Sequence, residues 1–480
     1  MSELPEVLKF QDLSRGYDAV MYSNKIEPVS SSAATTRFEI PRQGILSSNG
    51  MIQFKYNVPD SALGGNQDFA QFPVGVGVRA VCRRATLSTQ SGRILQDSRF
   101  FNKKSVVETS FRGAEYLRYI APYLDGSNFY FDYTTPLEPA TVQGNVRLGG
   151  VPMSSAGVPS ATGAAWSAPT IIRLGGDNGV ATSQTWRLTL AELFPMLYNI
   201  QIPVNIAEIL YIDLYWEPDT AIGDCLILPD GTTRTGAGNI SEPQLICDNL
   251  VYNDPNVMAA IEDKQLNGGG LVFPFEDTNT QVISAVNALA GSLTEEYDRM
   301  LGCNEYKLTC IKNVELTGLA GDSNSLLGKY YSQSQQKTRQ LNFVLNDTNL
   351  YPTNDATNPI NYERISEIYD HVEPAIPRNV YGSTSLVTGS AIPVSPDQTW
   401  NGLSQQPLLN ANMNVMGVNL KDSSNHFFQN GNAPVRLVYR KTATAAQGTW
   451  TENSLQYYFL NYLREFQLMP SGKFVVSAFA

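Results

Sequence analysis

The chain has 480 residues, of which 42% are hydrophobic, 10% aromatic and only 16% charged, with a formal net charge of −11. That apolar content excludes intrinsic disorder as the main state, and no apolar run reaches the roughly 18 residues of a membrane-spanning helix. The acidic balance argues against a surface built throughout to grip nucleic acid or an anionic membrane. All-β domains often reach about 200–250 residues, so two such domains are the natural division of this length.

The N-terminus, MSELPEVLKFQDLSRGYD, lacks a basic head followed by an apolar block. It does not read as a signal peptide, and synthesis in a cytosol is expected. Five cysteines at irregular spacing, without a CxxC pair, fit a reducing compartment. Cys247 and Cys310 sit in apolar alternating runs and should act as small hydrophobes. Residues 1–34 read as a polar arm ahead of the first clear strand. Up to Arg37 it carries four basic residues against five acidic ones, too few to neutralise packaged DNA.

Period-two alternation then marks strands along the chain. Ile52, Phe54, Tyr56 and Val58 come first, followed by Val74, Val76, Val78 and Cys82. From Arg79 to Lys104 lie seven basic residues (Arg79, Arg83, Arg84, Arg93, Arg99, Lys103, Lys104) against one acid, Asp97. They read as solvated strand and loop positions, with an anion-binding patch or a subunit contact as the alternatives. Phe129, Phe131 and Tyr133 alternate next. Thr189-Leu-Ala-Glu192 is a capping box, opening a short helix that ends by Tyr198 or Asn199. Leu210, Ile212, Leu214 and Trp216 form the strongest strand, stopped by Pro218. In the second half, Leu341–Leu345, Val435–Tyr439 and Phe474–Ala478 alternate in the same way. Short helices are also expected at Gly113–Ala121, Thr294–Leu301 and Tyr362–Tyr369. Strands apolar on one face must pack on a second sheet, which predicts sandwiches. Two long stretches, Ala140–Gln184 and Pro374–Asn414, show no period and read as loops. One falls in each half, so the chain suggests two diverged copies of one plan.

A search for chemistry returns little. The two histidines, His371 and His426, cannot build a zinc or HExxH site by local spacing. No GxSxG elbow positions a serine. Leu266-Asn-Gly-Gly-Gly-Leu271 lacks the lysine of a phosphate loop, and Gly328-Lys329 is followed by Tyr330 where a hydroxyl ligand should stand. Val74-Gly-Val-Gly-Val78 lacks the third glycine of a dinucleotide fingerprint. Adjacent Glu295 and Glu296 point to different faces of a helix. The sequons at Asn239 and Asn346 read as chance. Tyr330, Tyr331, Tyr457 and Tyr458 could form a sugar-stacking platform, but such doublets usually place one ring inside and one outside. No catalytic, cofactor-binding or metal-binding residue is therefore expected, and no cofactor.

Three segments carry a resemblance: Leu188–Asp219, with its short helix, Ile-Pro and strand; Leu245–Lys264, LICDNLVYNDPNVMAAIEDK; and Gly328–Pro352, with its Gly-Lys-Tyr-Tyr-Ser run and Tyr-Pro. Together they resemble the double jelly-roll major capsid proteins of double-stranded DNA viruses, nearest those of polinton-like viruses and virophages. The resemblance implies an all-β fold of two tandem eight-stranded antiparallel jelly-roll sandwiches, with short connecting helices and long surface loops. It places an N-terminal arm at 1–34, the first jelly roll at 35–220, a linker at 221–243 and the second roll at 244–480. Leu245 would open that second roll. It further implies a non-enzymatic homotrimer forming pseudo-hexameric capsomers of an icosahedral virion, with the long loops as outward towers. The implied partners are neighbouring capsomers, minor capsid and penton proteins and an inner membrane or lining, without sequence-specific nucleic-acid binding. A vertex, spike or receptor-binding β-protein, or a carbohydrate-binding sandwich, remains the alternative.

Overall fold

The computed structural model describes residues 19–57, 72, 77–110, 124–126, 147–148, 151–152, 185–198, 200–217, 239–285, 293–301, 305–314, 340–345, 348–349, 415–419, 433–441 and 454–478. The first half gives β1 (Ala19–Ile26), β2 (Ser30–Ser31), β3 (Thr35–Ile40), β4 (Ile45–Leu46), β5 (Met51–Asn57), β6 (Cys82–Thr89), β7 (Ile94–Arg99), α1 (Phe101–Ser110), β8 (Arg147–Leu148), β9 (Val151–Pro152), β10 (Thr185–Thr189), α2 (Leu190–Leu193), β11 (Leu210–Trp216) and β12 (Asn239–Tyr252). The second gives α3 (Pro255–Asn267), β13 (Leu271–Ala285), β14 (Leu293–Leu301), β15 (Glu305–Val314), β16 (Gln340–Leu345), β17 (Thr348–Asn349), β18 (Val415–Asn419), β19 (Ala433–Lys441), β20 (Ser454–Leu468) and β21 (Phe474–Ala478).

The described strands form two sandwiches with one plan. One sheet of the first runs β1-β12-β5-β10, and the other β3-β11-β6-β7, with β4 and β2 as two-residue additions. Counting the eight main strands along the chain, these orders are 1-8-3-6 and 2-7-4-5. The second sandwich repeats both: β13-β20-β15-β18 and β14-β19-β16-β17, with β21 added beside β20. All pairings are antiparallel. The expected duplication of plan is thus present in the topology. In each sandwich the connection from the fifth to the sixth strand spans one of the two unpatterned stretches. Ala140–Gln184 lies outside the described residues apart from the β8–β9 hairpin, and Pro374–Asn414 lies wholly outside them.

This order moves two boundaries. β12, which the sequence places at the head of the second roll, pairs with β1 on one side and β5 on the other. It is the closing strand of the first sandwich. β1, read as part of an arm ending near residue 34, is that sandwich's opening strand. Leu245, Cys247 and Tyr252 on β12 are apolar and buried. α3 then makes the crossing. Asp254 caps it by accepting the Asn256 amide at 2.9 Å, with Pro255 in the first turn, where no backbone donor is needed.

Other elements follow their residues. β11 buries Leu210, Ile212, Leu214 and Trp216, and β5 buries Ile52, Phe54 and Tyr56. Each fully buried side chain of this size stabilises the fold by about 1.5–3 kcal/mol relative to exposure. Thr189 accepts the Glu192 amide at 3.3 Å as expected, but the helix ends at Leu193 and Pro195 starts a separate tight turn, Pro195–Leu197. Two expectations fail. Thr294–Leu301 is strand, within β14, because its register opposite β19 supplies a backbone partner at every residue. The alternation from Val74 to Val78 does not continue as strand: Gly77, at φ +61°, begins a 3-10 turn, and β6 starts only at Cys82. The helix α1 carries no apolar period and was not anticipated. The alternating Phe129–Tyr133 and the helices expected at Gly113–Ala121 and Tyr362–Tyr369 lie outside the described residues.

Candidate functional site

The basic segment resolves into internal bonds. Arg79 is only 2% exposed, and its Nη2 donates to Asp125 at 3.1 Å and to Glu192 at 2.7 Å. Arg84 forms a two-pronged pair with Asp97, which Arg99 also meets at 2.6 Å. Lys104 holds Glu108 at 3.0 Å. Burial works against the Lys104 charge, yet Glu108, Glu276 and Asp277 outweigh it and raise its pKa. Arg83 lies over the Phe100 ring, 5.8 Å from its centroid. Arg83, Arg93 and Arg99 are exposed, as solvated positions should be, whereas Arg79 and Lys103 are buried. The Arg84–Asp97 pair ties β6 to β7, and the Lys104–Glu108 pair lies within α1.

The remaining chemistry candidates dissolve similarly. The triple glycine after Leu266 ends α3 and turns into β13, with Gly270 at φ +108°. A Cβ there would stand 2.7 Å from the Leu468 carbonyl oxygen, so the run serves close backbone approach. Tyr457 and Tyr458 are both buried, which removes them as a sugar platform. Glu295 and Glu296 lie in a strand and not in a helix. Cys82 and Cys247 are buried free thiols, and burial pushes the Cys247 thiol up to about 12. No group of three metal-binding side chains occurs among the described residues, and no described helix is long and apolar enough to cross a membrane. His371, His426, Asn346, Tyr330, Tyr331 and Gly328-Lys329 lie outside the described residues.

What the structure does build is a seam between the sandwiches. From the first come β7, the turn Pro195–Leu197 and the start of α1. From the second come β13, β20 and β21. Gln96 is its central bolt, 2% exposed. Its Nε2 donates to the Glu276 carbonyl at 3.2 Å and to Asp277 Oδ1 at 3.1 Å, while its Oε1 accepts the Met196 amide at 3.0 Å. Asp277, also buried, accepts further bonds from Tyr462 at 3.0 Å, Arg464 at 2.6 Å and the Thr278 amide at 2.9 Å. Burial and the Asp277 charge push the Tyr462 hydroxyl up to about 12, which keeps it a donor. A buried network satisfied at every member fixes one geometry.

Two further fastenings flank the bolt. The Phe474 backbone is clamped from both sides: Arg93 donates to its carbonyl at 2.5 Å and its amide donates to Glu208 at 2.9 Å. The neighbouring turn comes so close that a Cβ on Gly472, at φ +78°, would stand 2.9 Å from the Ile206 carbonyl oxygen. At the other end, the Phe100 ring meets Tyr457 with centroids 5.2 Å apart. Phe100 holds φ +53°, rare for an aromatic residue, so its backbone is strained where it crosses the seam. Between these points Phe273, Phe275, Phe466 and Phe474 join the first sandwich's apolar core. The polar bolts were invisible in the sequence because Gln96, Glu208 and Asp277 sit in no motif. Their partners are 100 to 266 residues away.

Comparison with known proteins finds no family model and no curated protein sequence that matches. Solved structures do match in shape. The mavirus major capsid protein is 9% identical, with 100% of this chain and 91% of that chain covered at a TM-score of 0.50. A chain of the Sputnik virophage structure is 12% identical, covering 96% of this chain and 89% of that one at a TM-score of 0.53. The fold is therefore the double jelly roll, in agreement with the repeated strand order.

Proposed function

We propose that this chain is a major capsid protein, which associates as a homotrimer into pseudo-hexameric capsomers that tile an icosahedral virion. The observation that carries this reading is the pair of jelly rolls of identical strand order locked side by side by a buried seam. Such a chain presents two equivalent building blocks at a fixed angle, and three copies supply six. The whole-length likeness to the mavirus capsid protein supports the same role. In this reading the product is a shell and not a reaction, so no residue is assigned to catalysis, a cofactor or a metal. Neighbouring capsomers, minor capsid and penton proteins and an inner lining are its partners, and the protein is made in the host cytoplasm before entering the virion.

The test is direct. Purified protein should scatter light with three times the 52.8 kDa mass of the chain and show particles of hexagonal outline in negative stain. A single-chain mass at micromolar concentration, with no capsomer or shell in the micrographs, would refute the reading.

A further inference from the structure

Asparagine followed by glycine occurs five times in the chain, and two of the pairs fall among the described residues: Asn49-Gly50 and Asn267-Gly268. Glycine has no side chain to hinder its amide nitrogen from attacking the side-chain amide before it. Both asparagines are exposed. Their hydrogen bonds differ. Asn267 is the last residue of α3, and its Nδ2 donates to Asp263, one turn back, at 2.6 Å. The Gly268 amide donates to the Lys264 carbonyl at 2.9 Å. Nucleophile and target are thus both engaged elsewhere. Asn49 lies in the turn between β4 and β5, where its main-chain amide donates to Ser47 Oγ at 3.4 Å. Among the described residues, neither its side-chain amide nor the Gly50 amide has a hydrogen-bond partner.

We propose that Asn49 is a site of spontaneous deamidation, whereas Asn267 is protected by the end of its helix. The Gly50 nitrogen gives its proton to solvent base and attacks Asn49 Cγ. A C–N bond forms, the Cγ–Nδ2 bond breaks and ammonia leaves, closing a five-membered succinimide. Water then opens the ring. Its attack on the main-chain carbonyl carbon gives isoaspartate, with the backbone running through Cγ; its attack on Cγ gives aspartate. No electrons are transferred. Either product adds a negative charge, and isoaspartate also adds a methylene to the main chain just ahead of β5. The place is a junction: the Gly50 carbonyl accepts the Leu190 amide at 2.8 Å, and Met51 pairs with Thr189 of β10 and Ile246 of β12. Packing also fixes the reactive half of the pair. A Cβ on the buried Gly50 would stand 2.5 Å from Leu190 Cδ1 and 3.3 Å from the Ile246 carbonyl oxygen.

The experiment holds the full-length protein in mildly alkaline buffer and follows the tryptic peptides 43–55 and 265–299 with time. Fragment mass spectra locate the gain of one dalton, and enzymatic methylation detects isoaspartate. Asn49 should convert roughly tenfold faster than Asn267, equal to about 1.4 kcal/mol, the order of one hydrogen bond that must open first. In the urea-unfolded chain the two should convert at similar rates. Asn49→Gln should abolish the change in peptide 43–55. Asp263→Ala, which frees the Asn267 side chain, should speed conversion at Asn267. Equal rates in the folded protein, or no conversion at Asn49, would overturn the proposal and show that the packing of Gly50 holds the turn out of reach. A tenfold difference that persists in urea would overturn it as well, since the cause would then be local sequence and not the fold.

Discussion

β11 (LYIDLYW) buries every second residue from Leu210 to Trp216, whereas β1 (AVMYSNKI) buries none. Both belong to the first sandwich. β11 lies between β3 and β6, hydrogen-bonded on both edges, with the facing sheet over its apolar side. Among the described strands β1 pairs with β12 alone, and only Ala19 and Ile26 of its apolar residues pack against the core. Alternation in a sequence is thus the imprint of a cover supplied by the same chain. In β1 large apolar residues fall at consecutive positions, Val20, Met21 and Tyr22, and no period appears.

The largest effect should come from breaking the covered strand. Leu214→Ala removes a fully buried side chain in the middle of β11, with β3 and β6 fixed on either side to resist collapse. A cost of about 3 kcal/mol is expected for such a truncation, read as a fall in the urea midpoint at unchanged slope. A cost below about 1 kcal/mol would mean that the alternation of β11 does not report core packing.

An intermediate effect measures how well β1 seals what lies behind it. Cys247 on β12 stands directly opposite Asn24 of β1, and burial raises its thiol from an ordinary value near 9 to about 12. A folded-state pKa above the unfolded one contributes stability that is complete below about pH 9 and is lost as pH rises toward 12. At about 1.4 kcal/mol per unit, roughly 3 kcal/mol should be gone by about pH 11. Cys247→Ala removes that loss. The variant should be the less stable protein at about pH 8 and the more stable at about pH 11, by denaturant titration at each pH. Curves that keep the same separation at both would show that water already reaches the thiol past β1.

The same contrast explains what was readable. The sandwich class, the two-copy plan and strands such as β5, β11, β19 and β21 all follow from alternation that the chain itself enforces. The capping of α2 by Thr189 was legible because the cap and its amide lie three residues apart. The boundary was misplaced because LICDNLVY reads equally well as a strand that opens a roll or one that closes it; only its pairing with β1 and β5 decides. The seam was hidden for a related reason. Gln96 and Asp277 are polar residues in polar-looking positions, and burial gives them meaning only once two distant strands meet. Arg79 misled in the opposite direction: a charge in a basic run suggested a surface, yet it is enclosed between Asp125 and Glu192.

The smallest effect on stability is expected at Met21. Its side chain is 59% exposed and opposes Leu250 of β12, one residue along from the buried Asn249. Met21→Thr keeps a residue suited to a strand while removing most of the apolar surface. Measured at a concentration low enough to keep single chains, the substitution should change unfolding free energy by less than about 0.5 kcal/mol, as for other exposed positions. A cost above about 1 kcal/mol in the isolated chain would place a cover from the same molecule over Met21, and β1 would then differ from β11 only in its pattern and not in what it faces.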